Sequence, residues 1–378
     1  INNILIMKIY YIGSPEVFTE GASSIHVARM CEAFSKLGNE VTLMIPLASD
    51  CIDDFFSFYG VNKTFKINSC IGFVKGPKRH FLHGVVSFFK SIFFNDYDYI
   101  VTRNITFAFM ASYIRKNIIV DIHHPPVNLF SVLAVKRFIK SKNIVKIVCN
   151  SQGTLDSINK TGIDKFQVLN NGVNLLDFVP SKGPEEFKAS LNIPTESKII
   201  SYIGNTYPGR GIEKIVRLAK DYRNIYFLVV GGEKEDNKIY KQSISDGQKN
   251  LIFTDHVPHT DIPNYLMVSD ILLIPYDEHF TIKGNKIATD YSSPIKLFEY
   301  LSARKPIVAS NLPSFANILK NRSNALLINP DSYEDLQESI NLLLKDPEIR
   351  NKLSNNAFEL SKSFTWDNRV SKMLTGLK

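Results

Sequence analysis

A chain of 378 residues exceeds one ordinary core and suits two domains of roughly 100 to 200 residues each. Hydrophobic residues make up 44% and charged residues 22%, which excludes disordered, fibrous and low-complexity classes. The 45 Lys and Arg against 37 Asp and Glu give a formal charge of +8, favouring anionic partners: phosphate-bearing substrates, anionic lipid or nucleic acid.

The apolar run Ile4 to Ile12 lacks the charged start and small-residue cleavage site of a signal peptide, so it reads as a first strand. Met7 reads as a natural start, with residues 1 to 6 the end of an upstream extension. Ser24 to Leu37 follows with Val27, Met30, Phe34 and Leu37 at helical spacing, then the strand EVTLMIP. Strand candidates continue at 99–102, 117–122 and 146–149, each followed by a helix-length segment, which predicts a parallel sheet covered on both faces. Cys31, Cys51, Cys70 and Cys149 show no CxxC spacing, so neither a zinc site nor a disulfide framework is expected, and a reducing cytoplasm fits.

Between these strands, residues 75–94 interleave Lys75, Lys78, Arg79 and Lys90 with Phe81, Leu82, Phe88, Phe89, Ile92, Phe93 and Phe94. This pattern fits a helix lying in a lipid headgroup layer, or a core helix with a basic start. No stretch reaches the roughly 18 to 20 apolar residues that cross a bilayer, so any membrane contact is expected to be peripheral. No stacking-platform motif accompanies the basic and aromatic residues, and nucleic acid is not expected as a partner. Asp96-Tyr97-Asp98 imitates a metal-binding DxD but precedes a strand, and reads as a solvated strand entrance. DIHHPP places His123 and His124 at the carboxyl edge of a buried strand, where ligands bind in α/β sheets.

The rhythm pauses at Asn170-Asn171-Gly172 and 180–186, so the domains are expected at 1–178 and 179–360. A second set of strands follows at 198–204, 226–232, 251–257, 270–276, 305–310 and 324–330, with helical intervals between most of them. At 201–219 a strand runs into a turn with Gly204, Gly209 and Gly211, where Arg210 can grip a phosphate with its planar fork. At 292–310 Ser293 is the expected N-cap and Pro294 the first helical residue. The free N–H groups of Ile295 and Lys296 would form an anion site. Glu299 lies one turn on, placed either to accept hydrogen bonds from a ribose diol or to pair with Lys296 at the surface.

In this order, GNTYPGRG, VVGG, DHVPHTDIPNYLMVSDILLIPY and SPIKLFEYLSARKPIVAS resemble the retaining glycosyltransferases of family four, built from two facing Rossmann-like domains with a cleft between them, the GT-B architecture. CNSQGTLDSINK and VLNNGVNLLDF are similar to the end of that family's N-terminal domain, so the resemblance covers nearly the whole chain. It implies a hexose-type sugar moved from a nucleotide-diphosphate donor to a saccharide or lipid-linked saccharide acceptor, with no metal or other cofactor. The setting implied is cell-envelope polysaccharide synthesis, lipopolysaccharide included, on the cytoplasmic side of the membrane. Arg210 matches the family's basic phosphate position, Glu299 the ribose-binding Glu, His123 a histidine near the donor sugar, and Gly21 a loop that closes over the diphosphate. Main-chain groups near Val257 would meet the base, and a C-terminal helix at about 361–378 would return to the first domain. Tyr291 stands where the family has another Glu, and Asn205 where it often has a second Arg; Lys296 would replace the lost charge. Two other functions fit the same fold, a nucleotide-sugar 2-epimerase and a non-catalytic sugar-nucleotide-binding subunit.

Overall fold

Apolar strands alternating with amphipathic helices form two α/β units, Ile1–Asn171 with Trp366–Lys378, and Gly172–Thr365. The computed structural model describes residues 6–377 except 20, 73–75, 94–95, 159–163, 176–178, 245–246, 283–285 and 288. The chain passes between units at 171/172, against an expected 178/179 whose N-terminal side lies outside the described residues.

In the first unit, β1 (Lys8–Ile12), β2 (Glu40–Ile45), β3 (Lys66–Ser69), β4 (Tyr99–Thr102), β5 (Ile118–Ile122), β6 (Ile144–Cys149) and β7 (Phe166–Val168) are all parallel, in the order β3-β2-β1-β4-β5-β6-β7. Neighbouring residues of β1 serve two separate cores, because side chains alternate across a strand. Ile9 and Tyr11 join Val27, Phe34, Phe55, Trp366 and Val370, whereas Tyr10 and Ile12 join Phe107, Ala134 and Phe138. Helices Ala22–Lys36 and Trp366–Leu374 therefore cover one face, and Pro77–Ile92, Ile105–Ala111 and Leu129–Lys140 the other.

The C-terminal helix does not begin at 361. Helix Pro347–Ser361 runs into a short 3-10 turn, Thr365 is extended (φ −83°, ψ 155°), and a fresh helix starts at Trp366. Lys146 Nζ anchors that helix by donating to the carbonyls of Met373 (2.7 Å) and Thr375 (2.9 Å). The Asp-Tyr-Asp run is structural: Asp96 pairs with Lys8 Nζ at 2.6 Å and Asp98 accepts the Lys8 backbone N–H at 2.7 Å. All four cysteines are free.

The second unit holds β8 (Lys198–Ile203), β9 (Ile225–Val230), β10 (Leu251–Asp255), β11 (Ile271–Ile274), the antiparallel pair β12 (Thr281–Ile282) and β13 (Lys286–Ile287), β14 (Ile307–Ser310) and β15 (Leu326–Ile328). Its main sheet is parallel in the order β10-β9-β8-β11-β14-β15. Each sheet reverses its winding once, between β1 and β4 and between β8 and β11, and a crevice opens beyond the carboxyl ends of the strands at such a point. Among the described residues no helix is long and apolar enough to cross a membrane.

Candidate functional site

The switch point of the second unit is built by two loops that hold each other. The loop after β8 joins the loop after β11 through Asp277 N–H to Gly209 carbonyl (2.9 Å) and Thr281 N–H to Pro208 carbonyl (3.2 Å). Arg210 is buried between them, 7% exposed, its guanidinium 4.5 Å from the Tyr276 ring centre and 4.6 Å from that of Phe280. One of its NH2 hydrogens goes to the Thr281 carbonyl at 2.9 Å, while Nε is buried with no hydrogen-bond partner among the described residues. Asp277, in the same loop, pairs with Lys214 instead (2.7 Å).

The helix Ile295–Ser302 brings a second cation to the same place. Tyr300 Oη accepts the Ile203 N–H at 2.7 Å, tying the helix to the carboxyl end of β8. One turn earlier on the same face, Lys296 then reaches Gly204, which has φ +140° and no room for a Cβ, since that atom would collide with Lys296 Nζ. The ammonium lies 3.9 Å from the Tyr202 ring centre and 5.5 Å from that of Tyr276, buried and without a hydrogen-bond partner among the described residues. Burial pushes its pKa down to about 8, Arg210 adding to the fall and Tyr276 and Glu299 opposing it. Burial raises the Tyr276 phenol, but Arg210 and Lys296 outweigh it and leave that group below its ordinary value. Among the described residues neither buried cation has a carboxylate partner, and three polar atoms, Arg210 Nε, Lys296 Nζ and Tyr276 Oη, lie orphaned in one crevice. Buried charges are ordinarily paired, so the crevice is chemically suited to an anion.

Glu299 does not pair with Lys296. It is 7% exposed and meets His259 Nε2 at 2.8 Å, which fixes the carboxylate one turn from Lys296. Ser293 is not the N-cap: Pro294, at φ −70° and ψ 131°, takes that position with no side-chain cap, and Ile295 is the first helical residue. Pro294's extended backbone moves the start by one residue, and the first-turn N–H groups of Ile295 and Lys296 remain those a helix leaves without an internal partner. Ser293 is buried beside them. Asn205 is exposed, and its carbonyl accepts the Tyr202 hydroxyl at 2.5 Å. Val257 and Tyr291 are half-buried against the core of this unit. The structure thus gathers Arg210, Lys296 and Glu299 about the end of β8. Tyr276, Tyr300 and His259 complete the group; their apolar or loop settings carry no sequence signal.

Gly21 and His123 belong to the first unit. Gly21 is the N-cap of Ala22–Lys36 (φ −64°, ψ 140°) and its carbonyl accepts from Ser24 N–H (2.9 Å). His123 leaves the end of β5 with Nε2 3.1 Å from Asp121 Oδ1, and its ring meets that of His26 edge-on at 4.5 Å. His26 Nε2 contacts Asp121 Oδ2 at 3.1 Å, and Arg369 NH2 donates to both Asp121 oxygens at 3.0 Å. Burial and Arg103 keep His123 well below its ordinary pKa, and burial lowers His26 to about 3, so both rings are neutral. Burial would raise Asp121, but Arg369 and the two histidines hold it well below the carboxylate range. The ligand atoms of His26, Asp121 and His123 lie within 4.8 Å of one another, a spacing a metal could use, but the Arg369 guanidinium already occupies both carboxylate oxygens.

Comparison with known proteins gives these features a family. The family model described as glycosyl transferases group 1 matches residues 184–360. This stretch, just under half of the chain, is similar to that family. TuaH of Bacillus subtilis (strain 168), a glycosyltransferase named provisionally for teichuronic acid biosynthesis, is 27% identical over 180 residues, 46% of this chain and 42% of TuaH. The uncharacterized glycosyltransferase MJ1607 of Methanocaldococcus jannaschii is 23% identical over 240 residues, 60% of this chain and 56% of its own. The chain spans about half the length of these curated relatives. Among solved structures, a glycosyltransferase from Rickettsia africae ESF-5 matches with a TM-score of 0.74 at 16% identity, covering 98% of this chain and 97% of the other. Anabaena HepE in complex with UDP and glucose matches at 0.73 and 15%, covering 98% and 100%. The fold is that of the GT-B glycosyltransferases.

Proposed function

We propose that the chain transfers a hexose-type sugar from a nucleotide-diphosphate donor to a saccharide or lipid-linked saccharide acceptor, with retention and without a metal. The observation that carries this reading is the pair of buried, unpaired cations Arg210 and Lys296 at the β8/β11 switch point. A diphosphate seated there meets two charges and the start of Ile295–Ser302, and its charge grows as the sugar–phosphate bond breaks, so these groups act most strongly in the transition state. The acceptor hydroxyl's proton passes to the departing diphosphate, and no protein nucleophile is used. Glu299, steadied by His259, accepts from the ribose diol, and main-chain groups near Val257 meet the base. His123, neutral at physiological pH, offers a hydrogen bond to the sugar. The setting is cell-envelope polysaccharide synthesis, lipopolysaccharide being one such product, with the chain peripheral on the inner face of the cell membrane.

UDP, present in the HepE complex, is the first nucleotide to test, followed by GDP and their sugars. Calorimetric titration should detect one donor. Incubation with its α-linked sugar, an oligosaccharide acceptor and EDTA should give an α-linked product by NMR; a β-linked product, or complete loss of turnover with EDTA, refutes the mechanism. Release of an altered nucleotide sugar without acceptor would identify an epimerase. Donor binding with neither transfer nor slow hydrolysis would identify a binding subunit, the reading that Tyr291 in place of Glu favours.

A further inference from the structure

The helix Pro77–Ile92 is amphipathic in the wrong sense for a soluble protein. Its inward side carries His83, Gly84, Ser87 and Ser91, all buried, while Phe81 (58% exposed), Leu82, Phe89, Ile92 and the following Phe93 (86%) face outward with Lys78 and Lys90. At 100° per residue the outward apolar side chains fill a stripe about 120° wide. Solvent disfavours such a stripe, and large exposed apolar patches mark interaction surfaces.

The exposed apolar surface continues past a neighbouring helix, at the turn that follows it, and onto a third helix of the same sheet face. Gly84 lets helix Ile105–Ala111 come close: a Cβ there would collide with Asn104 Oδ1, and Asn104 Nδ2 donates to the His80 carbonyl at 2.8 Å. Helix Ile105–Ala111 in turn meets Leu129–Lys140, with Phe109 and Phe130 ring centres 5.5 Å apart and Arg137 stacked 4.0 Å from the Tyr113 ring centre. Exposed Tyr113, Ile114, Val127, Leu129 (75%), Phe130 and Leu133 extend the apolar surface, and exposed Lys116, Lys136 and Lys140 extend the basic one. From Phe55 to Asn95 and from Tyr99 to Leu155 the only acidic residue is Asp121, which is buried.

We propose that the outer faces of the first and third of these helices, with the turn after the second, form one surface that seats on an anionic lipid bilayer. Aromatic and aliphatic side chains enter the headgroup layer and the lysines meet lipid phosphates, a combination that binds membranes without spanning them. A second copy of the chain fits poorly, because docking this face on itself would set five exposed lysines against five. Arg79 and His80, on the first turn of Pro77–Ile92, reach the crevice of the first sheet: His80 Nδ1 lies 2.6 Å from Ser14 Oγ, in the loop after β1. The surface and that crevice thus share one helix, so an acceptor carried by lipid would arrive beside it. The inference rests on the proposed lipid-linked acceptor but extends the contact from one helix to two helices and a turn, and vesicle binding is read without any transfer assay.

The test is flotation of the full chain with vesicles of phosphatidylcholine alone or with added phosphatidylglycerol. The parent should float only with the anionic vesicles. Lys136→Glu and Lys140→Glu, on the third helix, should each lower the partition constant at least about fivefold. Leu129→Ser with Leu133→Ser should lower it similarly, as should Phe81→Ser with Phe89→Ser on the first helix. Since all these side chains are exposed, UDP titration reports an intact fold, and lost flotation with retained nucleotide affinity separates this surface from the donor site. Parental flotation of the third-helix variants would overturn the extended surface. Equal binding to neutral vesicles, or concentration-dependent self-association abolished by Phe81→Ser without vesicle binding, would overturn the lipid assignment.

Discussion

Replacing Lys296 with Met should make the protein more stable and a poorer binder of its donor. The side chains are similar in length, so the packing around Tyr202 and Tyr276 is retained while the buried charge is removed. The fall in the Lys296 pKa from 10.5 to about 8 corresponds to about 3 kcal/mol held against the folded state wherever the amine is protonated in both states. Below the folded-state pKa the parent carries the whole penalty. Between about 8 and 10.5 the unfolded chain binds a proton that the folded chain does not, so parental stability rises with pH. Lys296→Met should therefore exceed the parent by up to about 3 kcal/mol near pH 7, and by only about 1 kcal/mol near pH 9.5. Urea unfolding of both proteins at the two pH values measures the gap, and UDP titration of the folded variant should show a lost charge-assisted contact. A variant less stable than the parent near neutrality, or a gap that does not shrink with pH, would refute the claim that this ammonium is buried without a counter-charge.

Glu299→Ala should weaken donor binding by roughly 1.5 to 3 kcal/mol, the scale of a charged hydrogen bond; calorimetric affinity equal to the parent's would remove it from the ribose. Arg210→Ala should lower both turnover and donor affinity, because its contact strengthens as the diphosphate leaves, and steady-state kinetics would show the drop in kcat. Gly204→Ala sets a Cβ against Lys296 Nζ at φ +140°, and should cost about 1–3 kcal/mol of strain together with UDP affinity, read by thermal shift and titration. Arg369→Met strands the buried Asp121 carboxylate and should destabilise by roughly 3–5 kcal/mol, part of which Asp121→Asn should restore in urea melts. Burial lowers His26 and His83 from 6.5 to about 3, so on acidification the unfolded chain gains protons first, and stability should fall by up to about 1.4 kcal/mol per pH unit for each as pH drops below about 6.5.

Most of the fold was legible because strands buried on both faces read as unbroken apolar runs, such as IYFLVV and ILLI. The strands that escaped sit at the edge or are very short: β3 reads KINS and β7 only FQV, and β12 and β13 have two residues each. Arg210, Lys296 and Glu299 could be singled out because glycine turns and a helix start have local signatures. His259 could not, since it comes 40 residues before the carboxylate it holds, on a short 3-10 turn. Tyr276 reads simply as the end of a buried strand, and Arg369, on a C-terminal helix, gives no hint of Asp121. Ser293 shows the opposite error, a good capping residue overruled by the proline after it.

The placement of Trp366–Leu374 bears on how the molecule is made. Trp366, Val370 and Met373 complete the core beside Val27 and Phe34, and Arg369 neutralises Asp121, yet all four are synthesised after the whole of Gly172–Thr365. During translation the first unit therefore leaves the ribosome with a hole in its core and a buried carboxylate lacking its guanidinium. Domains generally fold in order as they emerge, but this one stays unfinished until the second is already out. Chains truncated anywhere in the second unit would retain an unstable first unit, exposed to proteases, and His123 would gain its settled surroundings only in chains translated past Met373.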